Sequence, residues 1–401
     1  MAEQTASEHS SDLSTGLRKR VASFLRDHDP ATTAAVRFLR ARFDAGLAWL
    51  HFPEGFGGLG LPRGFQSDVD RLFAEAGAPD NRSKVNVIGL GIAAPTILEF
   101  GSEAQKRRFL RPLWTGEEIW CQLFSEPGAG SDLAGVTTRA VRDGDGWVVT
   151  GQKVWTSSAH NARFAILLAR TDATKPKHAG LTYFLCDMSD PGVEVRPLRQ
   201  LTGEAEFNEV FLSDVRIPDD QRLGPDGGGW KIAKATLNNE RIFLGEDVAR
   251  REEGMVGIVA RVWRENPELR TADLYGRLSR LWVDAEVARQ ARQRLRQKLM
   301  SGQPGPEGAA MKLIFADLNQ KLSGLEVEMW GERGLRYSDW TLVRPDHVDM
   351  LGRDAGYRYL RAKGNSIEGG TSEILRNIIA ERVLGLPPEP RLEELCPRRD
   401  S

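Results

Sequence analysis

The sequence predicts an α+β protein, mainly α, built as an N-terminal helical domain, a middle antiparallel β domain and a C-terminal helical bundle. Three observations carry this expectation. Apolar residues recur at helical spacing up to about residue 119. Between 120 and 223 they come in short β-rich runs divided by turn signals, and from Trp230 helical spacing returns. The expected boundaries are a disordered N-terminus over 1–14, helices over 15–119, a barrel-like β domain over 120–225, a four-helix bundle over 226–388 and a loose tail over 389–401.

In the first section Ser14 is placed to cap a helix whose Leu17, Val21, Phe24 and Leu25 share a face, with Asp29-Pro30 as its stop. Val36, Phe38, Leu39, Phe43 and Leu47 continue the pattern. Four glycines and a proline between Phe52 and Gly60 then force a loop. Ser102-Glu103-Ala104-Gln105 reads as a capping box opening a helix through Phe109 and Leu110.

The β section has runs at 147–150, 164–168, 181–185, 193–195 and 209–212, with Asp143-Gly144-Asp145-Gly146 as one of the turns. Pro225-Asp226-Gly227-Gly228-Gly229 reads as an interdomain hinge. Three long helical stretches are expected beyond it, at 230–264, 270–301 and 306–331, the last with a seam of Leu318, Leu322, Leu325 and Met329. A shorter helix ends at Leu384, where Gly385 and Pro387 stop it.

The 401 residues carry a net charge of −1 with acids and bases interspersed, which points away from nucleic acid and anionic membranes as partners. The three cysteines (Cys121, Cys186, Cys396) have no metal-like spacing and suit a reducing cytosol. The first fourteen residues lack the apolar core of a secretory signal. No run approaches membrane-spanning length, so a soluble cytoplasmic protein without a metal is expected.

The chemistry centres on Phe124-Ser125-Glu126-Pro127-Gly128-Ala129-Gly130-Ser131-Asp132-Leu133-Ala134-Gly135. Three glycines and a proline in these twelve residues exclude a helix interior and leave backbone that can approach a ligand closely. Alone, such a stretch is more often a surface turn. Two further segments change that reading: Lys153-Val154-Trp155-Thr156-Ser157-Ser158, and Ser366-Ile367-Glu368-Gly369-Gly370-Thr371-Ser372-Glu373-Ile374.

In this order and spacing, over about 49–387, the three segments resemble the acyl-CoA dehydrogenase family of flavoproteins. The resemblance implies FAD as cofactor and an acyl-CoA substrate. It implies α-proton abstraction by a Glu, β-hydride transfer to flavin N5 to give the 2-enoyl-CoA, and electron transfer to an electron-transfer flavoprotein. Phe124, Ser125, Gly130 and Ser131 would contact the cofactor, Trp155 would cover one flavin face and Ser157 would bond near N5. Thr371 and Glu373 match further FAD positions. Ser131, Arg241 and Glu368 would border the substrate.

Many members carry the base in a Glu-Gly-Thr sequence, but that slot here is Gly369, with Glu368 one residue early. A branch typified by isovaleryl-CoA dehydrogenase instead places a Glu before an Arg on the first bundle helix, which matches Glu240-Arg241. Glu240 is therefore preferred to Glu368 as base. The amide of Gly369 would hold the thioester carbonyl.

Two segments depart from the family pattern. An Arg that reaches the neighbouring subunit's FAD pyrophosphate is Ala272 here, with Arg270 and Arg277 as out-of-register substitutes. The adenosine segment reads Glu328-Met329-Trp330-Gly331-Glu332-Arg333-Gly334, keeping Gly331 but with Glu328 in place of Gln and Glu332 in place of Gly. Acids beside a pyrophosphate are unfavourable unless offset. A homo- or hetero-oligomer, organised as a dimer of dimers, is expected, with a related partner chain supplying what this one lacks. The alternatives are an acyl-CoA oxidase or flavin monooxygenase on the same fold, or a non-catalytic subunit completing a partner's site.

Overall fold

A computed structural model describes residues 2–245, 250–300, 308–337 and 339–388. The chain divides into two compact units, Met1–Glu240 with Thr341–Val348, and Arg241–Trp340 with Asp349–Ser401.

The first unit opens with helices α1 (Ala2–Asp27), α2 (Ala35–Asp44), α3 (Gln66–Glu75), α4 (Ala94–Phe100) and α5 (Glu103–Trp114). Leu17, Val21 and Phe24 pack against Phe38, Leu47, Leu50, Val69 and Phe73, as the helical spacing requires. Ser102 accepts from the Gln105 backbone while the Gln105 side chain accepts from the Ser102 backbone, completing the expected capping box on α5.

Two expectations need correction here. Ser14 lies inside α1 instead of capping it, and the residues before it are helical, not disordered. Once Leu17, Val21 and Phe24 anchor the helix, each added residue gains a hydrogen bond without a new nucleation cost. Val36, expected on the buried stripe, is 44% exposed while Phe38, Leu39 and Phe43 are buried.

Eight strands follow: β1 (Trp120–Leu123), β2 (Arg139–Asp143), β3 (Gly146–Ser157), β4 (Phe164–Arg170), β5 (Leu181–Asp187), β6 (Val193–Pro197), β7 (Phe207–Pro218) and β8 (Arg222–Leu223). They form one sheet in the order β6-β7-β3-β2-β4-β5-β8, with β1 beside β4. The 143–146 turn closes the β2–β3 hairpin, with Gly144 at φ +60°.

The sheet is not wholly antiparallel. β1 runs parallel to β4, from Trp120 opposite Phe164 to Leu123 opposite Leu167, because the β2–β3 excursion is long enough for a crossover. Helices and sheet share one core: Phe43, Phe109, Leu113 and Trp114 pack with Trp120, Phe164, Ile166 and Tyr183. Trp120 stacks on Phe164 and meets Phe109 edge-on. The segment Thr341–Val348 joins this unit through Ala205 N–H to the Val343 carbonyl, 2.7 Å, and through Arg344 to Asn208.

The 225–229 turn, expected as an interdomain hinge, lies within the first compact unit. Gly228 N–H donates to Pro225 O, Gly227 N–H to the Thr182 hydroxyl, and Asp226 accepts from Thr171 and Thr182. The division falls after Glu240, within α6 (Gly229–Gly245).

The second unit contains α7 (Met255–Glu265), α8 (Ala272–Met300), α9 (Gly308–Trp330), α10 (Ala355–Ala362) and α11 (Ser372–Arg382). The stretch expected as one helix over 230–264 is therefore two, α6 and α7. The α9 seam of Leu322, Leu325 and Met329 is buried against Val256 and Val259 of α7 and Leu274, Leu278 and Leu281 of α8. Arg358 of α10 pairs with buried Glu326 of α9. The tail expected over 389–401, including Cys396, lies outside the described residues.

Replacing Trp120 with Ala removes the aromatic shared by helices and sheet and is expected to cost about 3–5 kcal/mol. Val36→Ala on the exposed face of α2 should stay within about 0.5 kcal/mol. Urea unfolding of the two variants measures the difference, and equal losses would contradict the shared core.

Candidate active site

The glycine-rich loop leaves the end of β1 and is fixed at its base. Glu126 and Ala129 exchange two backbone hydrogen bonds, each 3.0 Å, forming a tight turn around exposed Pro127 and Gly128. Phe124 is buried and meets Tyr183 edge-on. Ser125 is half-buried, whereas Gly130 and Ser131 are exposed, and the space a Cβ would occupy at Gly128 and Gly130 is open.

Beneath the loop lies an ion pair that sequence reasoning missed. Lys153 on β3 is 0% exposed, and its Nζ donates to the Phe124 carbonyl (2.9 Å), Glu126 Oε1 (2.9 Å) and the Leu168 carbonyl of β4 (2.8 Å). Those three bonds use all the ammonium protons. Glu126 also accepts from the Thr137 and Thr138 amides and the Thr137 hydroxyl. Burial pushes the Glu126 carboxyl up, but the Lys153 charge and these donors outweigh it and hold the group at about 2. Burial lowers the Lys153 ammonium to about 8, with Glu126 opposing that shift.

Trp155 stands two residues further along β3. In a regular strand it would point to the same side as Lys153. Instead the β3–β7 register slips between Lys153 and Thr156, and Trp155 takes φ +60°. This bulge re-aims the side chain. The indole is 58% exposed, with Phe207 edge-on at 5.7 Å, and is not a core residue. The Val154 amide donates to the Ser125 carbonyl at 2.9 Å, so the loop and the indole are anchored to neighbouring residues of β3. Ser157 is half-buried and pairs in register with Phe207.

Glu240 lies half-buried on α6. The preceding turns of α6 are locked into the first unit by buried Ile232 and Ala233 and by a hydroxyl network. Thr236 bonds Thr96 (3.2 Å) and Tyr183 (3.0 Å), and Asn239 donates to Thr96 (3.4 Å). Arg241 follows on the same helix, with its side chain outside the described residues.

In the second unit, Gly369 and Gly370 turn the chain with φ of +64° and +96°, and Lys312 donates to the Gly370 carbonyl at 2.6 Å. Thr371 caps α11 by accepting from the Ile374 amide, and Glu373 sits in the first turn, paired with Arg376. Glu368 is engaged on both oxygens, by Asn365 at 2.6 Å and Arg361 at 3.0 Å.

Both out-of-register arginines are committed to partners in this unit. Arg270 donates to the Trp263 and Arg264 carbonyls at the end of α7. Arg277 makes a two-pronged pair with Glu328, both contacts 2.6 Å. Its hydrogen bonds hold the Glu328 carboxyl below its usual range. Gly331 takes φ +53° after α9, and Glu332 and Arg333 are exposed. Among the described residues no helix is long and apolar enough to cross a membrane, and no cluster of His, Cys, Asp or Glu could hold a metal.

Comparison with known proteins identifies the class. The N-terminal, middle and C-terminal domains of acyl-CoA dehydrogenases match residues 11–117, 121–215 and 227–384. The chain is 41% identical over 349 residues to the acyl-CoA dehydrogenase IpdE1 of Mycobacterium tuberculosis, covering 86% of each chain. It is 30% identical to the human mitochondrial short-chain specific acyl-CoA dehydrogenase, covering 84% of this chain and 80% of that one. Among solved structures it resembles the Tcur3481-Tcur3483 steroid ACAD (TM-score 0.71, 26% identity, 94% of this chain and 98% of that one). It also resembles the ChsE4-ChsE5 complex of M. tuberculosis (TM-score 0.68, 28% identity, 95% and 98%). The protein belongs to the acyl-CoA dehydrogenase family, whose members are FAD-dependent flavoproteins.

The depressed Glu126 carboxyl carries a sign for acid stability. Its folded value of about 2 lies below the ordinary 4.5, so its contribution is present above about pH 4.5 and is lost as pH falls towards 2. Glu126→Gln should flatten the loss of stability across that window, measured by melting temperature against pH. An unchanged slope would contradict the assignment.

Proposed function

We propose that this chain is an FAD-dependent acyl-CoA dehydrogenase in which Glu240 removes the α-proton of a thioester and a 2-enoyl-CoA is formed. The observation that carries the reading is the outward-turned Trp155 on its bulge, tied through Val154 to the half-buried Ser125 of the glycine-rich loop. Such strain and exposure of a large aromatic suit a platform for a planar ring better than a packing role. These residues fit a flavin. Phe124, Ser125, Gly130 and Ser131 would line it, Trp155 would cover one face and Ser157 would bond its edge. Thr371 and Glu373 would hold it at the start of α11. Bound there, FAD would supply the acceptor for the hydride from the β-carbon.

The chain's own task is the proton. A thioester α-proton is weakly acidic, so the reaction needs a carboxylate base, with donors on the developing oxyanion. Glu240 is preferred to Glu368 because it precedes Arg241 on α6, as in the branch typified by isovaleryl-CoA dehydrogenase, while the Glu-Gly-Thr slot near the C-terminus holds Gly369. The Gly369 amide would hold the thioester carbonyl, and Ser131 and Arg241 would border the substrate. Glu240→Gln should lower turnover by about 10²–10⁴-fold, with Glu368→Gln much less affected. Stopped-flow reduction with the natural substrate decides this, and near-normal turnover of Glu240→Gln would eliminate the base assignment.

The likeness to a structure described as a steroid ACAD favours a bulky polycyclic acyl group among the candidate substrates, within lipid metabolism. An electron-transfer flavoprotein in the cytoplasm would take the electrons. A base for the α-proton favours dehydrogenation over a monooxygenase reaction, which needs none.

A second observation bears on assembly. Arg277 is already neutralised by Glu328, and Ala272 and Glu332 stand where the family has Arg and Gly. These residues fit a neighbour's pyrophosphate poorly, which supports a tetramer of unlike chains with a related partner. Tyr275, Val283 and Val287 expose apolar surface on α8 consistent with such packing. Protein expressed alone should carry substoichiometric flavin. A uniform homotetramer with one FAD per chain would contradict the unlike-chain assembly.

A further inference from the structure

We propose that Lys153, acting with Glu126, is a positioning residue of the flavin site that sets Ser125 and Trp155 relative to one another. The inference rests on the reading of this loop and indole as the flavin-contacting face. Its basis is where the pair's bonds go. The Lys153 ammonium binds the carbonyl just before Ser125, the side chain just after it, and the Leu168 carbonyl of β4. The Ser125 carbonyl is itself taken by the amide of Val154, the residue after Lys153. Glu126 extends the hold to Thr137 and Thr138, at the far end of the same loop. Three consecutive loop residues, 124–126, are therefore fixed by two consecutive strand residues, and the next strand residue is Trp155 at φ +60°.

Folding alone gives little reason for this arrangement. A fully buried ion pair stabilises a protein little, and an apolar pair of similar volume is often as good or better. Lysine does what a hydrophobic residue cannot: it presents three protons to three acceptors converging from two segments. Removing it would free the Phe124 and Leu168 carbonyls and the Glu126 carboxylate and let the loop shift against the bulge. The expected consequence is local misplacement, with Ser125 and Trp155 no longer held in one geometry.

The test uses Lys153→Met and the charge-free double variant Glu126→Gln/Lys153→Met in the protein's native assembly. FAD affinity is measured by fluorescence titration of the apoprotein, and the visible spectrum and midpoint potential of the bound flavin are recorded. Melting temperature is followed in parallel. The expected result is a folded double variant with a lowered melting temperature, FAD affinity lowered about tenfold to a hundredfold and a displaced spectrum and potential. Unchanged affinity, spectrum and potential would overturn the proposal, even if stability fell. Failure of both variants to fold would also overturn it, because the pair would then be a condition of folding and not of the site. A parent protein that binds no FAD in its native assembly would instead defeat the underlying flavin reading, so the two failures are told apart.

Discussion

The ammonium of Lys153 has been taken out of water entirely, and the local structure answers to that fact. A buried charge must have its protons accepted and its opposite charge nearby. Here the acceptors are two backbone carbonyls, from Phe124 and Leu168, and the Glu126 carboxylate. Satisfying them draws the glycine-rich loop onto the sheet beside β3. Buried Phe124, Ala129, Leu133 and Ala134 and the bonds of Glu126 to Thr137 and Thr138 hold the rest of the loop, while Gly128, Gly130 and Ser131 stay exposed. Rigidity comes from below, while the upper face stays open to a ligand.

The same strand then changes character within three residues. Lys153 points into the core, the ladder to β7 slips, and Trp155 turns outward with backbone strain that the paired residues on either side hold in place. α6 brings Glu240 with comparable firmness, because Ile232, Ala233 and the Thr96–Thr236–Tyr183 hydroxyls seat its first turns in the first unit. The family to which the chain belongs is FAD-dependent, and the chain holds Glu240, Ser125 and the Trp155 indole in defined positions.

Much of this is legible in the sequence. The apolar spacing located α1, α5 and the α9 seam, the Ser102–Gln105 box marked a helix start, and the three motifs pointed to the family. What escaped depends on pairing between distant residues. The resemblance singles out Trp155, but the bulge that turns it outward shows only in the β7 register. The parallel β1–β4 pairing cannot be read from strands that look alike in either direction. The pairing of Glu126 with Lys153, and of Arg277 with Glu328, is set by tertiary structure and cannot be read from the charges in sequence. The helix over 2–14 was missed because polar composition resembles a loose terminus when the anchoring turns beyond it are ignored.

The most direct test of the account is an anaerobic titration of the flavin-loaded protein, in its native assembly, with a panel of acyl-CoA thioesters that includes polycyclic ones. Flavin reduced by an α,β-dehydrogenation loses its visible band as the matching 2-enoyl-CoA appears, and that coupled change is the result expected here. A flavin that stays oxidised with every thioester, in protein that binds FAD normally, would contradict the assignment of this chain's site to acyl-CoA dehydrogenation.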